Sequence, residues 1–256
     1  MARYSKVGVI GSGKIGSKII EHILHSTDLE LAFVLDQTTD AASLPDLPVG
    51  VLTADPAAAL ATPVDLVIEA AVPAVLAALA PCFLENADFC GFSCTALADP
   101  ATEQAVRRAC AASGHVFYVP HGAILALDGI GDGKALLESV TVTTTKSGPS
   151  LGIEEDASGI LFEGPTREVC AKFPRNVNVH AAIALAGIGF DKTVSRVVAV
   201  PGLKAMQHHV EVTGAGLEWD IRVSSRSLGG VTGAYTPQSA IGSIDRLLGG
   251  KGIVVA

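Results

Sequence analysis

Residues Gly11-Ser12-Gly13-Lys14-Ile15-Gly16 stand between a short apolar run, Val7 to Ile10, and an amphipathic segment, and Asp36 follows twenty residues after the last glycine, at the end of a second apolar run. That spacing describes the first strand, turn and helix of a βαβ unit built around a dinucleotide. The first glycine permits a tight turn, the second lets backbone approach a pyrophosphate, and the third lets helix pack closely on strand. The helix N-terminus supplies unpaired N–H groups and the positive end of a dipole, so no basic side chain is strictly required there. The expected dinucleotide contacts are therefore Gly11, Gly13, Lys14, Ile15, Gly16 and Asp36. A carboxylate at position 36 can accept from both ribose hydroxyls and would repel a 2′-phosphate, which favours NAD. Gln37, Thr38 and Thr39 could still admit that phosphate if Asp36 turned aside, so NADP is the second choice.

A chain of 256 residues with 49% hydrophobic content can bury one large core or two modest ones. Its net charge of −8 disfavours nonspecific binding to nucleic acid or acidic membrane. Five cysteines, an odd number with no CxxC pair, read as reduced thiols of a cytoplasmic protein. Cys90 and Cys94 are spaced to share one face of a strand, yet the histidines offer no ligand spacing with them, and no metal is expected. The chain runs from Met-Ala-Arg-Tyr-Ser-Lys straight into its first strand, without a secretion signal. The longest apolar run, Ala70 to Leu84, is too short to span a bilayer and is broken by Pro73 and Pro81.

Up to residue 122 short apolar strands alternate with helical patterns, the signature of a parallel sheet covered on both faces. Ile15, Ile19, Ile20, Ile23 and Leu24 form the inner stripe of the first helix. Further strands are read at Leu29 to Leu35, Val49 to Thr53, Leu66 to Ile68, Asp88 to Cys94 and Val116 to Val119. Asp55-Pro56 and Asp99-Pro100 open helices, the second running to Ser113 before Gly114. The grammar then changes. Glu138 to Lys146, Val194 to Val200, His208 to Val212 and the strict alternation around Trp219 read as half-buried strands of an open, largely antiparallel sheet, with a helix from Val177 to Ala186 among them. Thr236-Pro237 opens a last helix that ends at Gly249-Gly250 and returns to the first domain. The expected division is a dinucleotide-binding domain, residues 1–122 plus 236–256, and a substrate and catalytic domain, residues 123–235, with chemistry in the cleft between them.

The run Lys172-Phe173-Pro174-Arg175-Asn176-Val177-Asn178-Val179, followed by Ala181 to Gly189, closely resembles the signature of L-aspartate dehydrogenases. Other matches fall in order: Gly11 to Gly16, Ser93 with Ala96-Leu97-Ala98-Asp99, Pro120 with Gly122-Ala123-Ile124, Leu127-Asp128, and His208 with Val210-Glu211-Val212 and Gly214. The resemblance covers nearly the whole chain. It implies a Rossmann-type parallel-sheet domain with a second α/β domain, a homodimer, and reversible NAD-dependent oxidation of L-aspartate to iminoaspartate. It places the general base on His208 and nicotinamide-side contacts on Ala123 and Asn178. The chain departs from the pattern at His121, where the family has serine, at Met206-Gln207 in place of Asn-Thr, and at Ala234 to Ser239 in place of Asn-Pro-x-Thr-Ser. Those departures keep two alternatives open: the same chemistry on another amino acid or imine, and an NAD-binding regulatory protein without chemistry.

Amino-acid oxidation needs a base that works near neutral pH and cations for the substrate carboxylates. A histidine suits the first, and His208 is the candidate, although His208 and His209 also read as neighbours on opposite faces of one strand. Lys146, just before Ser147-Gly148-Pro149, and Arg175 are the first candidates for the second, with Lys172 as a nearby surface cation. Asn176 and Asn178 could serve as helix cap and as ligand, in either order. His121 could donate to a substrate carboxylate or simply fill space. Glu69, at the end of a strand, is positioned for a ribose.

Overall fold

The computed structural model describes residues 3–39, 44, 46–226 and 233–249. The chain divides into two compact units, one of Met1–Ser93, Ala101–Pro120 and Pro237–Ala256, the other of Cys94–Pro100 and His121–Thr236.

In the first unit, β1 (Lys6–Ile10) leads through the glycine turn into α1 (Lys14–Leu24), followed by β2 (Glu30–Leu35), β3 (Leu52–Thr53), α2 (Pro56–Ala61), β4 (Leu66–Glu69), α3 (Pro73–Phe83), β5 (Asp88–Gly91), α4 (Pro100–Ser113) and β6 (Phe117–Tyr118). The six strands pair in the order β3-β2-β1-β4-β5-β6, all parallel. The order reverses at β1, so the turns leaving β1 and β4 diverge there and expose backbone at the strand ends. On one face, Ile19, Ile20 and Ile23 of α1 pack with Val7, Val9, Val34, Leu66 and Ile68. Each such side chain contributes roughly 1.5–3 kcal/mol when fully buried. Ala240 and Ile244 belong to the same core. Across the first unit's sheet, a run of aromatic rings links Phe33 of β2, Phe83 of α3, Phe89 of β5 and Phe117 of β6 at centroid separations of 5.7, 6.3 and 5.6 Å.

The second unit begins with a 3-10 turn, Cys94–Ala98, and continues with α5 (Leu127–Asp132), β7 (Leu137–Lys146), α6 (Gly148–Leu151), β8 (Gly159–Pro165), α7 (Thr166–Lys172), α8 (Asn178–Ala186), β9 (Val194–Ala199), β10 (Ala205–Gly214) and β11 (Leu217–Arg226), before α9 (Tyr235–Leu248). Its strands pair in the order β11-β10-β7-β9-β8. Every described pairing is antiparallel except β7 with β9, which is parallel. The period of two sets the inner face: Val140, Val142, Thr144 and Lys146 on β7, Ser195, Val197 and Ala199 on β9, and Met206, His208, Val210 and Val212 on β10 are all buried.

Several local expectations change. β3 shrinks to two residues, and Val49, expected to begin it, is fully exposed. β5 stops at Gly91 and Cys94 opens the 3-10 turn, so Cys90 and Cys94 do not share a strand. None of the five cysteines forms a disulfide, and burial pushes the Cys170 thiol up to about 12. Gly250 and the rest of 250–256 lie outside the described residues. No described helix is long and apolar enough to cross a membrane.

Candidate functional site

Gly11 ends β1 with φ +88°, and a Cβ there would stand 2.8 Å from the Ala70 carbonyl oxygen. A Cβ on Gly16 would come within 2.0 Å of the Gly11 carbonyl oxygen, so the helix reaches this close to the strand only without a side chain. Gly13 caps α1, and a Cβ built on it would meet nothing within 4 Å. The helix start therefore presents free backbone donors beside open space, which is the cradle a pyrophosphate requires. Asp36 lies against it. Its Oδ2 accepts from Ser12 N and Oγ at 2.8 and 2.7 Å, and its Oδ1 accepts from Thr38 N and Oγ1 at 2.8 and 3.0 Å and from Thr39 N at 3.2 Å. Partial burial pulls this carboxyl up, but the donors from Thr38 and Ser12 outweigh it and hold Asp36 well below the usual carboxylate range. Gly11, Gly13, Lys14, Ile15, Gly16 and Asp36 thus come together, and they fit a dinucleotide.

Glu69 is different. Its carboxylate is fully buried and accepts from Ala71 N at 2.7 Å, Ser93 N at 3.0 Å and Ser93 Oγ at 2.7 Å. Burial pushes its pKa up against those donors. The side chain braces the turns that follow β4 and β5, and is not set out toward a ribose as its position at a strand end had suggested.

The second unit carries a polar line through its inner face. His208 pairs with Thr144 across β10 and β7, and its Nδ1 lies 2.9 Å from Thr144 Oγ1. Thr144 Oγ1 lies 2.6 Å from Nε2 of His180 on α8, and His180 Nδ1 lies 2.9 Å from Ser195 Oγ. Ser195 Oγ is 2.7 Å from Thr166 Oγ1, which donates to the Thr193 carbonyl at 3.0 Å. His208 Nε2 is buried and makes no hydrogen bond with any described residue. Buried imidazole nitrogens seldom stay unpaired without a reason. Burial first, then the charge of Lys146, lowers the His208 pKa to about 3, and burial lowers His180 further below its ordinary value. Lys146 is itself only 4% exposed, and loss of hydration brings its ammonium down to about 8. Its Nζ donates to Asn176 Oδ1 at 3.2 Å and, more weakly, to the Asn176 carbonyl at 3.4 Å.

Lys146 and His208 are therefore buried close enough for the charge of one to act on the other, and the half-buried Asn176 holds Lys146. Arg175 does not join them: the side chain is exposed and forms no hydrogen bond or ion pair with a described residue. Lys172, also exposed, stands 5.8 Å from the ring centroids of Phe162 and Phe173. Neither asparagine caps α8. The cap is Val177, without a side-chain bond, because Asn178 Oδ1 instead accepts from Thr95 N and Oγ1, both at 3.1 Å, and Asn176 is held by Lys146. Asn178 thus fastens the 3-10 turn to α8, and its amide NH2 is what it has left to offer. Ala123 lies in a turn closed by Ile124 N donating to the His121 carbonyl at 3.1 Å, with Gly122 at φ +58°. His121 Nε2 lies 3.7 Å from Asp128 Oδ1 at the start of α5. His209 faces away from His208, with Nε2 3.2 Å from Asp220 Oδ1. Among the described residues no group of three or more His, Cys, Asp or Glu is arranged to hold a metal ion.

Thr144, His180, Ser195 and Thr166 were not singled out from sequence. The available signal was phase: Thr144 and Lys146 continue the inward period of Val140 and Val142, which a solvated strand would not do.

Comparison with known proteins agrees with both halves. Residues 11–120 match the model for the homoserine dehydrogenase NAD binding domain, and residues 129–247 match that for the aspartate dehydrogenase C-terminal region. The chain is 35% identical over 227 residues to an L-aspartate dehydrogenase of Methanosarcina barkeri, covering 82% of this chain and 83% of that protein. It is 34% identical over 213 residues to an L-aspartate dehydrogenase of Methanothermobacter thermautotrophicus, covering 81% of each. The solved aspartate dehydrogenase of Thermotoga maritima superposes with a TM-score of 0.77 at 25% identity, covering 98% of this chain and 99% of that one. An apo scyllo-inositol dehydrogenase of Lactobacillus casei shares the fold, with a TM-score of 0.62 at 10% identity over 97% of this chain and 88% of that one. With the glycine turn and Asp36 in one unit, the His208 and Lys146 constellation in the other, and relatives matched over most of their length, the chain belongs to the aspartate dehydrogenase family.

Proposed function

We propose that this protein is an oxidoreductase that uses NAD to oxidise L-aspartate to iminoaspartate, and that also runs the reverse reaction from oxaloacetate and ammonia. The observation that carries the chemistry is His208: a buried imidazole with one nitrogen tied to Thr144 and the other without a partner among the described residues, on the same inner face as Lys146. When bound, the nicotinamide supplies the acceptor for the hydride leaving the substrate Cα. His208 Nε2 takes the proton that the substrate ammonium gives up, releases it on the Nε2 side, and, neutral again, accepts a proton from the water that adds to the imine carbon, after which ammonia leaves. The low pKa of His208 keeps it unprotonated throughout the neutral range, with its Nε2 lone pair free. Lys146 offers its charge to a substrate carboxylate, with Asn176 fixing its position. His121 and Arg175 are secondary contacts for the second carboxylate. Asn178 and Ala123 serve the nicotinamide side, Asn178 through its amide NH2.

Asp36 favours NAD over NADP. Five donors already converge on its two oxygens, and each ribose hydroxyl replaces a donor of the same kind. A 2′-phosphate would instead bring negative charge against a carboxylate held ionised. Names of relatives support aspartate as the amino acid, and a homodimer is what the family resemblance implies.

The test is absorbance of NADH formed from L-aspartate and NAD, then NADH consumed with oxaloacetate and ammonia. Turnover in both directions is expected, with His208→Ala lowering kcat by about 10²–10⁴-fold. Silence in both directions from a protein that binds NADH removes aspartate as substrate.

A further inference from the structure

The hydrogen-bonded line behind His208 has a direction, and the direction follows from its last member. Thr193 offers a carbonyl oxygen, which only accepts, and it receives Thr166 N at 2.9 Å and Thr166 Oγ1 at 3.0 Å. A hydroxyl has one proton to give. With that proton on Thr193, Thr166 Oγ1 can only accept from Ser195 Oγ at 2.7 Å, so Ser195 can only accept from His180 Nδ1 at 2.9 Å. A neutral imidazole with its proton on Nδ1 accepts at Nε2, so Thr144 donates to His180 at 2.6 Å. Thr144 is then left to accept from His208 Nδ1 at 2.9 Å. The bare lone pair falls on His208 Nε2, the atom that is buried without a partner. The opposite direction would set a Thr166 lone pair against the Thr193 carbonyl oxygen and forfeit that bond.

We propose that His180, Ser195 and Thr166, anchored on the Thr193 carbonyl, are positioning residues that hold His208 in the tautomer protonated on Nδ1 and basic on Nε2. Thr144, Thr166, His180 and Ser195 are all completely buried, so water does not scramble the line. It ends on an amide carbonyl, which passes no proton onward. The line is thus a lock on polarity and not an exit, and a proton gained at Nε2 leaves from the Nε2 side. The inference rests on His208 as the proton carrier for its consequence in turnover, but the tautomer itself is observable without turnover.

Long-range 1H–15N correlation spectra of the labelled full-length protein at neutral pH, with His208 assigned through His208→Gln, read the tautomer directly. The wild type is expected to show His208 with a protonated Nδ1 and an unprotonated Nε2. Thr166→Val removes the hydroxyl that orients Ser195 and is expected to produce a mixture of tautomers and a fall in kcat of about fivefold, the weight of one buried hydrogen bond. Substrate KM stays unchanged, and Thr166→Ser restores both spectrum and rate. If Thr166→Val does not fold, Ser195→Ala breaks the line one link nearer, and the wild-type spectrum alone still decides where the proton sits. A wild-type His208 protonated on Nε2, or a folded Thr166→Val or Ser195→Ala protein with an unaltered tautomer, overturns the lock. Tautomer mixing with unchanged turnover upholds the lock and overturns the proton-carrier role of His208.

Discussion

Lys146 is held against its own solvation, and replacing it with Met makes that tension measurable. The ammonium lies on the inner face of β7, 4% exposed, and its pKa falls from 10.5 to about 8 through loss of hydration. At about 1.4 kcal/mol per tenfold, that shift costs the folded state about 3 kcal/mol wherever the lysine is charged. Met keeps a similar length and apolar stem without the charge. It gives up the bonds to Asn176 at 3.2 and 3.4 Å, worth about 1 kcal/mol together since the second is long. Lys146→Met is therefore expected to be about 2 kcal/mol more stable than the wild type at neutral pH while losing turnover. The sign with pH follows from linkage. Because the folded pKa lies below the unfolded one, the unfolded chain binds more protons between about 8 and 10.5, and wild-type stability rises with pH across that window. The advantage of Met should shrink to about zero near pH ~9.5. Urea unfolding followed by fluorescence suits this test, because Trp219 is the chain's only tryptophan and lies on β11 of the same unit. A Met variant less stable than wild type at neutral pH, or equally advantaged at both pH values, refutes the argument that dehydration dominates at Lys146.

Three further outcomes follow from other parts of the molecule. Ala126 adopts φ 62° and ψ 27°, a left-handed conformation that costs an L-residue about 1–2 kcal/mol, so Ala126→Gly should raise stability by about 1 kcal/mol in thermal unfolding; a lower midpoint counts against strain at that turn. Asp36→Ser should weaken NADH binding by about tenfold or more while leaving NADPH binding equal or tighter, as read by calorimetric titration; equal loss for both would mean that Asp36 is not the discriminating group. His208 and His180 are buried neutral with pKa values below 6.5, so the unfolded chain takes up protons first as pH falls through 6.5 and stability drops toward the folded pKa, about 3 for His208. Trp219-detected urea midpoints should decline from pH ~7 to ~5, above the carboxylate range, and His208→Gln should flatten the decline; an equally steep slope in that variant assigns the loss elsewhere.

The first unit was legible because each of its decisions is local. Gly11 to Gly16 must bracket a strand and a helix, and Asp55-Pro56 fixes the start of α2, where Asp55 Oδ1 does accept from Ala57 N at 2.9 Å. The inward phase of α1 could be read from its isoleucines alone. What escaped was non-local. α3 carries Pro81 in its last turn and a stripe of alanines without clear amphipathicity, so its sequence looked like a broken apolar run, although Leu76, Ala80 and Phe83 bury one side. β8 has no inward period, because its residues are half-buried or exposed along most of its length. The parallel pairing of β7 with β9 depends on β8, α7 and α8 being threaded between them, which no alternation pattern encodes. At the site, His208 and Lys146 were legible by type, but Thr144, Ser195 and Thr166 are ordinary strand and helix residues until topology sets them in one line.

That line also resolves a tension in the electrostatics. A base with a pKa of about 3 is a weak acceptor for an ammonium proton, and the neighbouring Lys146 charge helps to make it so. Both perturbations come chiefly from burial, and among the described residues no carboxylate hydrogen-bonds either group. On the proposed function, the dicarboxylate substrate would supply a counter-charge. Its binding beside Lys146 would offset the ammonium and remove the smaller, coulombic part of what lowers His208, moving the imidazole upward while the larger effect of burial stays. Unliganded, burial and the Lys146 charge keep His208 unprotonated in the neutral range. On the proposed function, the buried cation and the imidazole would act as one device, in which the charge of the substrate favours protonation of the base that its oxidation requires.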